Sequence, residues 1–482
     1  MKVLFITSES VPFAKTGGLA DVAYALPKAL KAKGTDISVI MPLYKNIPNI
    51  YMESMKLIKT FEVKMNWRSQ YAGIFEYDLD GVKYYFIDNE YYFKRDGYDQ
   101  SNGYYGYFDD GERFSYFCKA VVEFIIHMDD KPDIIHANDW HSGMIPLLLK
   151  DQQYKDRGVD HIKSVYTIHN MKYQGLFTKD LLTDMLDLDM GYCCEDCLEY
   201  KNNISFMKAG ILYSDIVTTV SPNYAKEIQT DYYGEGLGGL ARSIKDKLYG
   251  IVNGIDYDIY DSKTDELIHN NYSVEDMSNK ALNKKLLQRL LRLKQDPSIP
   301  MITMVTRLVE EKGLDLLGHI IDELMLENVQ LVILGTGDRK YEDMFKSFES
   351  YYPEKISANI YFDNKLSHKL YSSADLFLMP SQIEPCGIGQ LIAMRYGTLP
   401  IVRKAGGLKD TVVPFNKYTG EGTGFSFLNF NAHELLFTVK EALDIYNNEK
   451  DTWNKLVSNA MKKDLSWFNS ADEYIRLYES LL

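Results

Sequence analysis

KVLFITSESVPFAKTGGLADVAYALPKALKAKGTDISVIMP, residues 2–42, decides the fold. KVLFIT is a short apolar, β-branched run closed by polar residues, which reads as a buried strand. A loop with Pro12 and the pair Gly17-Gly18 follows, then a helix over about residues 19–33, then Gly34, and DISVIMP is a second strand. Strand, helix, strand in this order is the unit of a parallel sheet. Lys15 and the two glycines sit where the loop enters the helix, and free backbone N–H groups at a positive dipole end suit phosphate or sugar oxygens. A tight connection without a ligand would use the same glycines.

The pattern recurs. PDIIHANDW runs into SGMIPLLLKDQQ, and SVYTIHN and DIVTTVS are further β-branched runs, so one α/β domain is expected over residues 1–250. The turn-rich VNGIDYDIYDS and a polar stretch to about residue 272 hold the hinge. Ser273 and Asp276 in SVEDMSNKALNKKLLQRLLRL resemble a helix-starting cap. Alternation then restarts with MITMVTRL, GLDLLGHIIDELM, VQLVILG, RKYEDMFKSF, ANIYFD, KLYSSADLFLMPS and LPIVR, giving a second doubly wound domain over residues 251–463. DLSWFNSADEYIRLYESLL, from about residue 464 to 482, is an amphipathic helix whose placement periodicity does not give. Two Rossmann-like domains on a short hinge create an interdomain cleft at the carboxyl ends of both sheets, where open α/β folds bind ligands.

Charge excludes some functions. With 54 basic against 68 acidic residues the net charge is −14, so the summed field repels nucleic acid and anionic membranes. An anionic ligand must then meet a local cluster of cations. MKVLFITSES is too short an apolar stretch for a secretory signal, and no segment reaches the ~18 apolar residues of a membrane span. A cytoplasmic location is expected. Five cysteines form no disulfide framework in a chain of this length. Cys194 and Cys197 make a lone CxxC beside Cys193, without the second pair a zinc site needs, which favours a surface or packing role.

Five strand ends carry charged or imidazole groups: Lys15; Asp139 with His136 and His141; His169; Arg307 with Lys312; and Glu384. The glycine spacings after Lys15 and in LGTGD fail the GxGxxG dinucleotide pattern, and a Walker loop is absent. His136, Asp139 and His141 suggest hydrogen bonding more than metal, since they lack HExxH spacing. Asp139 could equally cap a helix before Ser142, and His169 could be a satisfied core histidine. In TRLVEEKG, Arg307 and Lys312 flank a strand-to-helix turn and can converge on a diphosphate. SQIEPCGIGQ sets Glu384 in a turn, where it could accept sugar hydroxyls. Asp-x-Asp pairs at Asp78/Asp80, Asp187/Asp189 and Asp256/Asp258 read as loop or surface acids. The aromatic stretch 89–114 could stack on sugar rings, although packing is the commoner use of such residues.

Taken together, KTGGLADV (15–22), HANDWHSG (136–143), TIHNMKYQG (167–175), TRLVEEKG (306–313), LGTGD (334–338), PSQIEPCGIGQ (380–390) and AGGLKDTV (405–412) resemble the bacterial glycogen synthases. The match is ordered and spans residues 1–412. It implies a GT-B fold and retaining transfer of glucose from ADP-glucose to the non-reducing end of an α-1,4-glucan. It also implies a C-terminal helix that crosses back to the first domain. No metal and no cofactor beyond the donor is implied, and the oligomeric state is left open.

Carried over by position, Arg307 and Lys312 would stabilise the leaving diphosphate, and Glu384 would hold glucose hydroxyls beside the amides of Cys386 and Gly387. Asp139 and His169 would line the glucose pocket. Lys15, Gly17, Gly18, Asn170, Gly335, Gly406 and Gly407 would approach the donor, and Asp21 would lie on the acceptor side. Three departures stand out: Asn138 where relatives usually have histidine, Ile388 for leucine, and Ala405 for threonine. Ile392 stands where related retaining families repeat a glutamate, which supports the glycogen-synthase branch. A catalytically silent glucan-binding protein and a synthase preferring UDP-glucose are the alternatives, and the intact Lys15, Arg307, Lys312 and Glu384 disfavour the silent one.

Overall fold

The computed structural model describes residues 1–97 and 103–482. It falls into two compact units. The first comprises Met1–Val220, Ala225–Ile251 and Trp467–Leu482, and the second Ser221–Tyr224 and Val252–Ser466.

In the first unit the strands are β1 (Lys2–Ile6), β2 (Asp36–Pro42), β3 (Lys56–Met65), β4 (Arg68–Leu79), β5 (Val82–Asp88), β6 (Ile134–Asn138), β7 (Lys163–Ile168), β8 (Leu176–Phe177), β9 (Glu199–Tyr200), β10 (Asn203–Ser205), β11 (Ile216–Thr219) and β12 (Leu248–Gly250). Among the described residues nine of them form one sheet in the order β12-β11-β7-β6-β1-β2-β5-β4-β3. Pairing is parallel from β12 to β5, and β3 and β4 extend the edge as an antiparallel hairpin. β8, β10 and β9 make a small antiparallel sheet.

Central strands are continuous apolar runs because helices cover both faces of a parallel sheet. Val3, Leu4, Phe5 and Ile6 are all buried. The helix Gly18–Ala32 turns Leu19, Val22, Ala23, Leu26 and Leu30 inward, at the spacing of one helical face. The helix Trp467–Glu479 lies in this unit against Gly18–Ala32. Lys33 pairs with Asp472 at 2.7 Å, and the Tyr478 hydroxyl meets the His136 ring at 2.6 Å.

The second unit has β13 (Met301–Val305), β14 (Gln330–Leu334), β15 (Ile356–Asn359), β16 (Leu376–Met379), β17 (Leu399–Arg403) and β18 (Phe425–Phe427). They form a parallel sheet in the order β15-β14-β13-β16-β17-β18. That is the doubly wound order, with its reversal between β13 and β16. The first unit reverses between β1 and β6.

Two local expectations are corrected. Ser273 and Asp276 bond to each other through their backbones, both at 3.2 Å, and the helix starts later, at Ser278. The Asp276 carboxylate accepts from the Ser278 amide at 3.0 Å, a local turn ahead of the helix. The strand sought in ANIYFD lies earlier, at Ile356–Asn359, because its register with β14 runs from Leu331↔Ile356 to Leu334↔Asn359. Tyr361 and Phe362 are then left exposed in the following loop.

In the aromatic stretch 89–114, residues 98–102 lie outside the described residues. Tyr92, Phe93, Tyr104, Tyr107 and Phe114 are buried, whereas Tyr91 and Phe108 face solvent. Packing is the main use of these rings.

Candidate functional site

Each unit collects its chemistry at the carboxyl ends of strands beside its switch point. In the first unit, the loop after β1 carries Glu9, Lys15, Thr16 and Gly17. Glu9 is buried, and its carboxylate accepts from the Thr16 amide at 2.6 Å and the Thr16 hydroxyl at 2.8 Å. Burial pushes its carboxyl up to about 7, and the two Thr16 bonds pull the other way. The loop is thereby tied down just before the helix. Lys15 pairs with Asp21 at 2.7 Å, and burial raises the Asp21 carboxyl while Lys15 lowers it.

After β6 the chain turns sharply at Asp139, whose φ is 53°. A non-glycine residue held there marks an imposed geometry. Its side chain makes no cap bond to the short helix Trp140–Ser142, which removes the capping alternative. Instead the carboxylate accepts from the His169 amide at 2.8 Å and from the Asn170 amide. Burial pushes Asp139 up to about 7, the two amides oppose that rise, and the nearby Glu9 adds to it.

His169 is half-buried. Its Nε2 lies 2.9 Å from Asn138 Oδ1. The Asn138 amide nitrogen donates to the carbonyls of Ile6 at 3.0 Å and His136 at 3.2 Å, which fixes Oδ1 as the acceptor. Nε2 therefore carries the proton and Nδ1 the lone pair. Burial holds this ring neutral, with its pKa lowered to about 3. The departure to asparagine at 138 is thus a specific support of His169.

His136 and His141 are not brought together with Asp139. His136 bonds to Tyr478 and to Thr167 Oγ1, each at 2.6 Å. His141 stacks on Trp140 with ring centroids 3.9 Å apart. Among the described residues no group of three His, Cys, Asp or Glu is placed to hold a metal ion. Nor does any described helix have the length and apolarity to cross a membrane. Asn170 Oδ1 accepts from the Lys172 amide at 3.0 Å, which shapes the turn after β7.

Both buried carboxyls make a prediction. Each binds a proton near pH 7 when folded and near its ordinary value, ~4, when unfolded, so between those limits the folded state holds more protons and stability falls as pH rises. The ceiling is ~1.4 kcal/mol per pH unit for each group. The thermal midpoint of the ligand-free wild type, relative to Glu9→Gln, should therefore fall from about pH 5 to about pH 8. A gap that is flat or grows would contradict the burial of Glu9.

In the second unit, Lys312 Nζ meets Glu384 Oε2 at 2.7 Å, and Ser381 Oγ donates to the same oxygen at 2.9 Å. Lys312 follows β13 and Glu384 follows β16, the two strands astride the reversal. Both side chains are mostly enclosed. Arg307 pairs with Glu311 at 3.1 Å and keeps 53% of its side chain exposed, so it can reach a ligand.

Gly406 and Gly407 press the loop after β17 onto the backbone of Glu384–Cys386. The Gly407 amide donates to the carbonyls of Glu384 at 3.2 Å and Pro385 at 3.1 Å. Gly335 ends β14 so close to β13 that a Cβ there would stand 1.8 Å from the Thr306 carbonyl oxygen. Cys386 is buried and its thiol is pushed up to about 12 by that burial, so it stays protonated. Gly387 follows it with a φ of 76°. Ala405 is fully buried.

Sequence inspection missed Glu9 and Ser381, and met Asn138 only as a departure from the family pattern. Ser381 holds Glu384, Asn138 holds His169 and Glu9 holds Thr16 beside Lys15, and a polar residue inside or just after a buried strand is the trace each leaves.

Comparison with known proteins follows the same division. Residues 2–243 match the starch synthase catalytic domain family and residues 292–462 the glycosyl transferases group 1 family. The chain is 54% identical to the glycogen synthase of Clostridium novyi (strain NT), covering 100% of this chain and 99% of that protein. It is 52% identical to that of Clostridioides difficile (strain 630), covering both in full. Among solved structures, the catalytic domain of starch synthase IV from Arabidopsis thaliana bound to ADP and acarbose superposes with a TM-score of 0.92 at 32% identity, covering 100% of this chain and 99% of that one.

Proposed function

We propose that this chain, which belongs to the glycogen synthase family, transfers glucose from ADP-glucose to the non-reducing end of an α-1,4-glucan with retention at the anomeric carbon. It is a glycosyltransferase with the two Rossmann-like domains of the GT-B fold. The observation that carries the proposal is the Lys312–Glu384 pair at 2.7 Å, with Arg307 on the same loop paired to Glu311 beside Lys312.

As the glycosidic bond to the diphosphate breaks, negative charge grows on the leaving oxygens and the anomeric carbon becomes oxocarbenium-like. Cations already in place stabilise that charge without reorganising, which is the largest contribution a site of this kind makes. Lys312 and Arg307 are assigned to the diphosphate. Glu384 Oε2 is taken by Lys312 and Ser381, and Oε1 is assigned to glucose hydroxyls beside the amides of Cys386 and Gly387.

Asp139, oriented by two backbone amides, and His169, neutral with its lone pair on Nδ1, suit further sugar hydroxyls. Asn170, Gly335, Gly406 and Gly407 are assigned to the donor with Lys15, Gly17 and Gly18, and Asp21 to the acceptor side. Retention follows from same-face attack, in which a leaving-group oxygen takes the acceptor proton. Asp139 is bonded as a holder of substrate and not as a free nucleophile. The reaction calls for no metal or cofactor besides the donor.

A cavity of about 380 Å³ in the first unit is lined by Tyr107, Trp140, Tyr173, Gln174, Lys201 and Glu235. Aromatic faces beside polar groups suit glucan rings. With a nucleotide-sugar donor, the reaction is assigned to the cytoplasm.

Incubating the protein with ADP-glucose or UDP-glucose plus glycogen, and measuring nucleotide release and chain growth, tests the proposal. Faster growth from UDP-glucose would overturn the donor assignment, and glycogen binding without growth would overturn the activity.

Gly17 offers a sharper test of the donor loop. A Cβ there would meet nothing of the protein nearer than Glu9 Oε1 at 3.9 Å, and the φ of −155° is ordinary extended backbone. Gly17→Ala should cost the fold no more than ~1 kcal/mol yet raise KM for the donor about tenfold, the effect of a methyl forced against a bound sugar, ~1.4 kcal/mol. An unchanged KM would remove the backbone approach at Gly17.

A further inference from the structure

The three cysteines between β8 and β9 are unused by the chemistry above. The Cys197 amide donates to the Cys194 carbonyl at 2.9 Å. Such an i to i+3 bond closes a β-turn, whose end Cα atoms lie within ~7 Å of each other, overlapping the 4.4–6.8 Å range that a disulfide spans. The two side chains already meet: the Cys197 thiol is hydrogen-bonded to Cys194, and the Tyr213 hydroxyl bonds to Cys197. Both cysteines are half-buried, open to a small reagent.

A cation stands beside them. Lys208, in the first turn of the helix Phe206–Tyr213, donates through Nζ to the Glu195 carbonyl and, at 3.0 Å, to the Glu199 carbonyl. Those carbonyls lie within and just after the turn, and the Lys208 charge acts on Cys194 and Cys197 alike. The form of a thiol that attacks a disulfide is the thiolate. Two backbone bonds, Leu198 N–H to the Tyr192 carbonyl at 3.1 Å and Glu199 N–H to the Cys194 carbonyl at 3.0 Å, hold the turn closed. Since no described cluster offers a third metal ligand, two adjacent thiols and a cation are equipped for electron exchange.

We infer that Cys194 and Cys197 form a reversible dithiol–disulfide site that exchanges two electrons with small disulfides such as oxidised glutathione. The Cys194 thiolate attacks one sulfur of the small disulfide and releases the other half as a thiolate. Cys197 then gives its proton to solvent, attacks the Cys194 sulfur and releases the second half. Two protein thiols are oxidised to one disulfide, and one small disulfide is reduced to two thiols. Cys197 is the resolving residue because its thiol already bonds to Cys194, the residue whose sulfur it must attack.

The test uses the full chain equilibrated with oxidised glutathione, alkylated under denaturing conditions and mapped by peptide mass. The expected result is a Cys194–Cys197 linked peptide that dithiothreitol reverses, with Cys118 and Cys386 still alkylated. In Cys197→Ser the reaction should stop at a glutathione adduct on Cys194, and the variant should keep wild-type transferase turnover when reduced. A pair that stays alkylatable at millimolar oxidised glutathione, a link through Cys193, or a Cys197→Ser protein without the adduct would each overturn the inference. The mapping reads chemistry of the thiols alone, so its failure is distinct from any failure of the transferase reaction.

Discussion

Lys312→Ala and Glu384→Ala should each lower turnover at saturating donor by at least about a hundredfold, the loss that follows removal of one preorganised polar contact, ~2.7 kcal/mol or more. The geometry explains why two opposite charges give the same result. The pair is 2.7 Å apart with 16% and 9% of the side chains exposed, so truncating either leaves the other enclosed without its partner, a costly state for any charge. Lys312→Ala removes a cation from the diphosphate and also frees Glu384 to rotate. Glu384→Ala removes the sugar contact and also lets Lys312 swing away.

The two losses should not add. A double variant little worse than the worse single one is the sign of a shared interaction, as in any cycle of contacting residues. Initial rates at saturating ADP-glucose, with thermal midpoints alongside, separate turnover from folding. Near-wild-type rates in either single variant would remove these residues from the reaction, and fully additive losses would remove the coupling.

Much of this site was legible because a parallel sheet presents its chemistry at strand ends, and strand ends show in sequence. KVLFIT, MITMV, VQLVIL and LPIVR stand out as apolar runs, so the residues after them, Lys15, Arg307 and Gly335 among them, could be picked out. The hairpin β3–β4 did not stand out. KLIKTFEVKM is exposed at most positions, so its strand is held by cross-strand bonds to β4 and carries no buried run. The helix start near residue 273 failed for a related reason: serine and aspartate form local turns as readily as caps. Supports such as Ser381 for Glu384 and Asn138 for His169 depend on where side chains meet after folding, which spacing does not encode. Asn138 and His169 are 31 residues apart.

Gly406→Ala should be among the most damaging single-methyl changes to the second unit, and it should harm turnover more than its distance from the charged groups suggests. The residue has φ 42°, a conformation that costs an L-residue ~1–2 kcal/mol. A Cβ there would stand 1.9 Å from the Glu384 carbonyl oxygen, 2.8 Å from its carbon and 3.3 Å from the Pro385 carbonyl oxygen. All three are backbone atoms, so no rotamer change relieves the contact, and overpacking of this kind adds ~1–3 kcal/mol. The atoms displaced belong to Glu384 itself, whose carboxylate must stay in register with Lys312. A shift of the Glu384 backbone by a few tenths of an ångström also stretches the two bonds from the Gly407 amide. Stability and turnover should therefore fall together, the midpoint by several degrees and turnover by more than about tenfold, the cost of a small misplacement of a catalytic group. Gly420→Ala separates the causes: it shares a positive φ, 65°, but its Cβ would meet nothing nearer than Lys455 Nζ at 3.7 Å. That variant should lose a little stability and no turnover. If Gly406→Ala behaves like Gly420→Ala, the loop after β17 does not hold Glu384 in place, and the carboxylate is positioned by Ser381 and Lys312 alone.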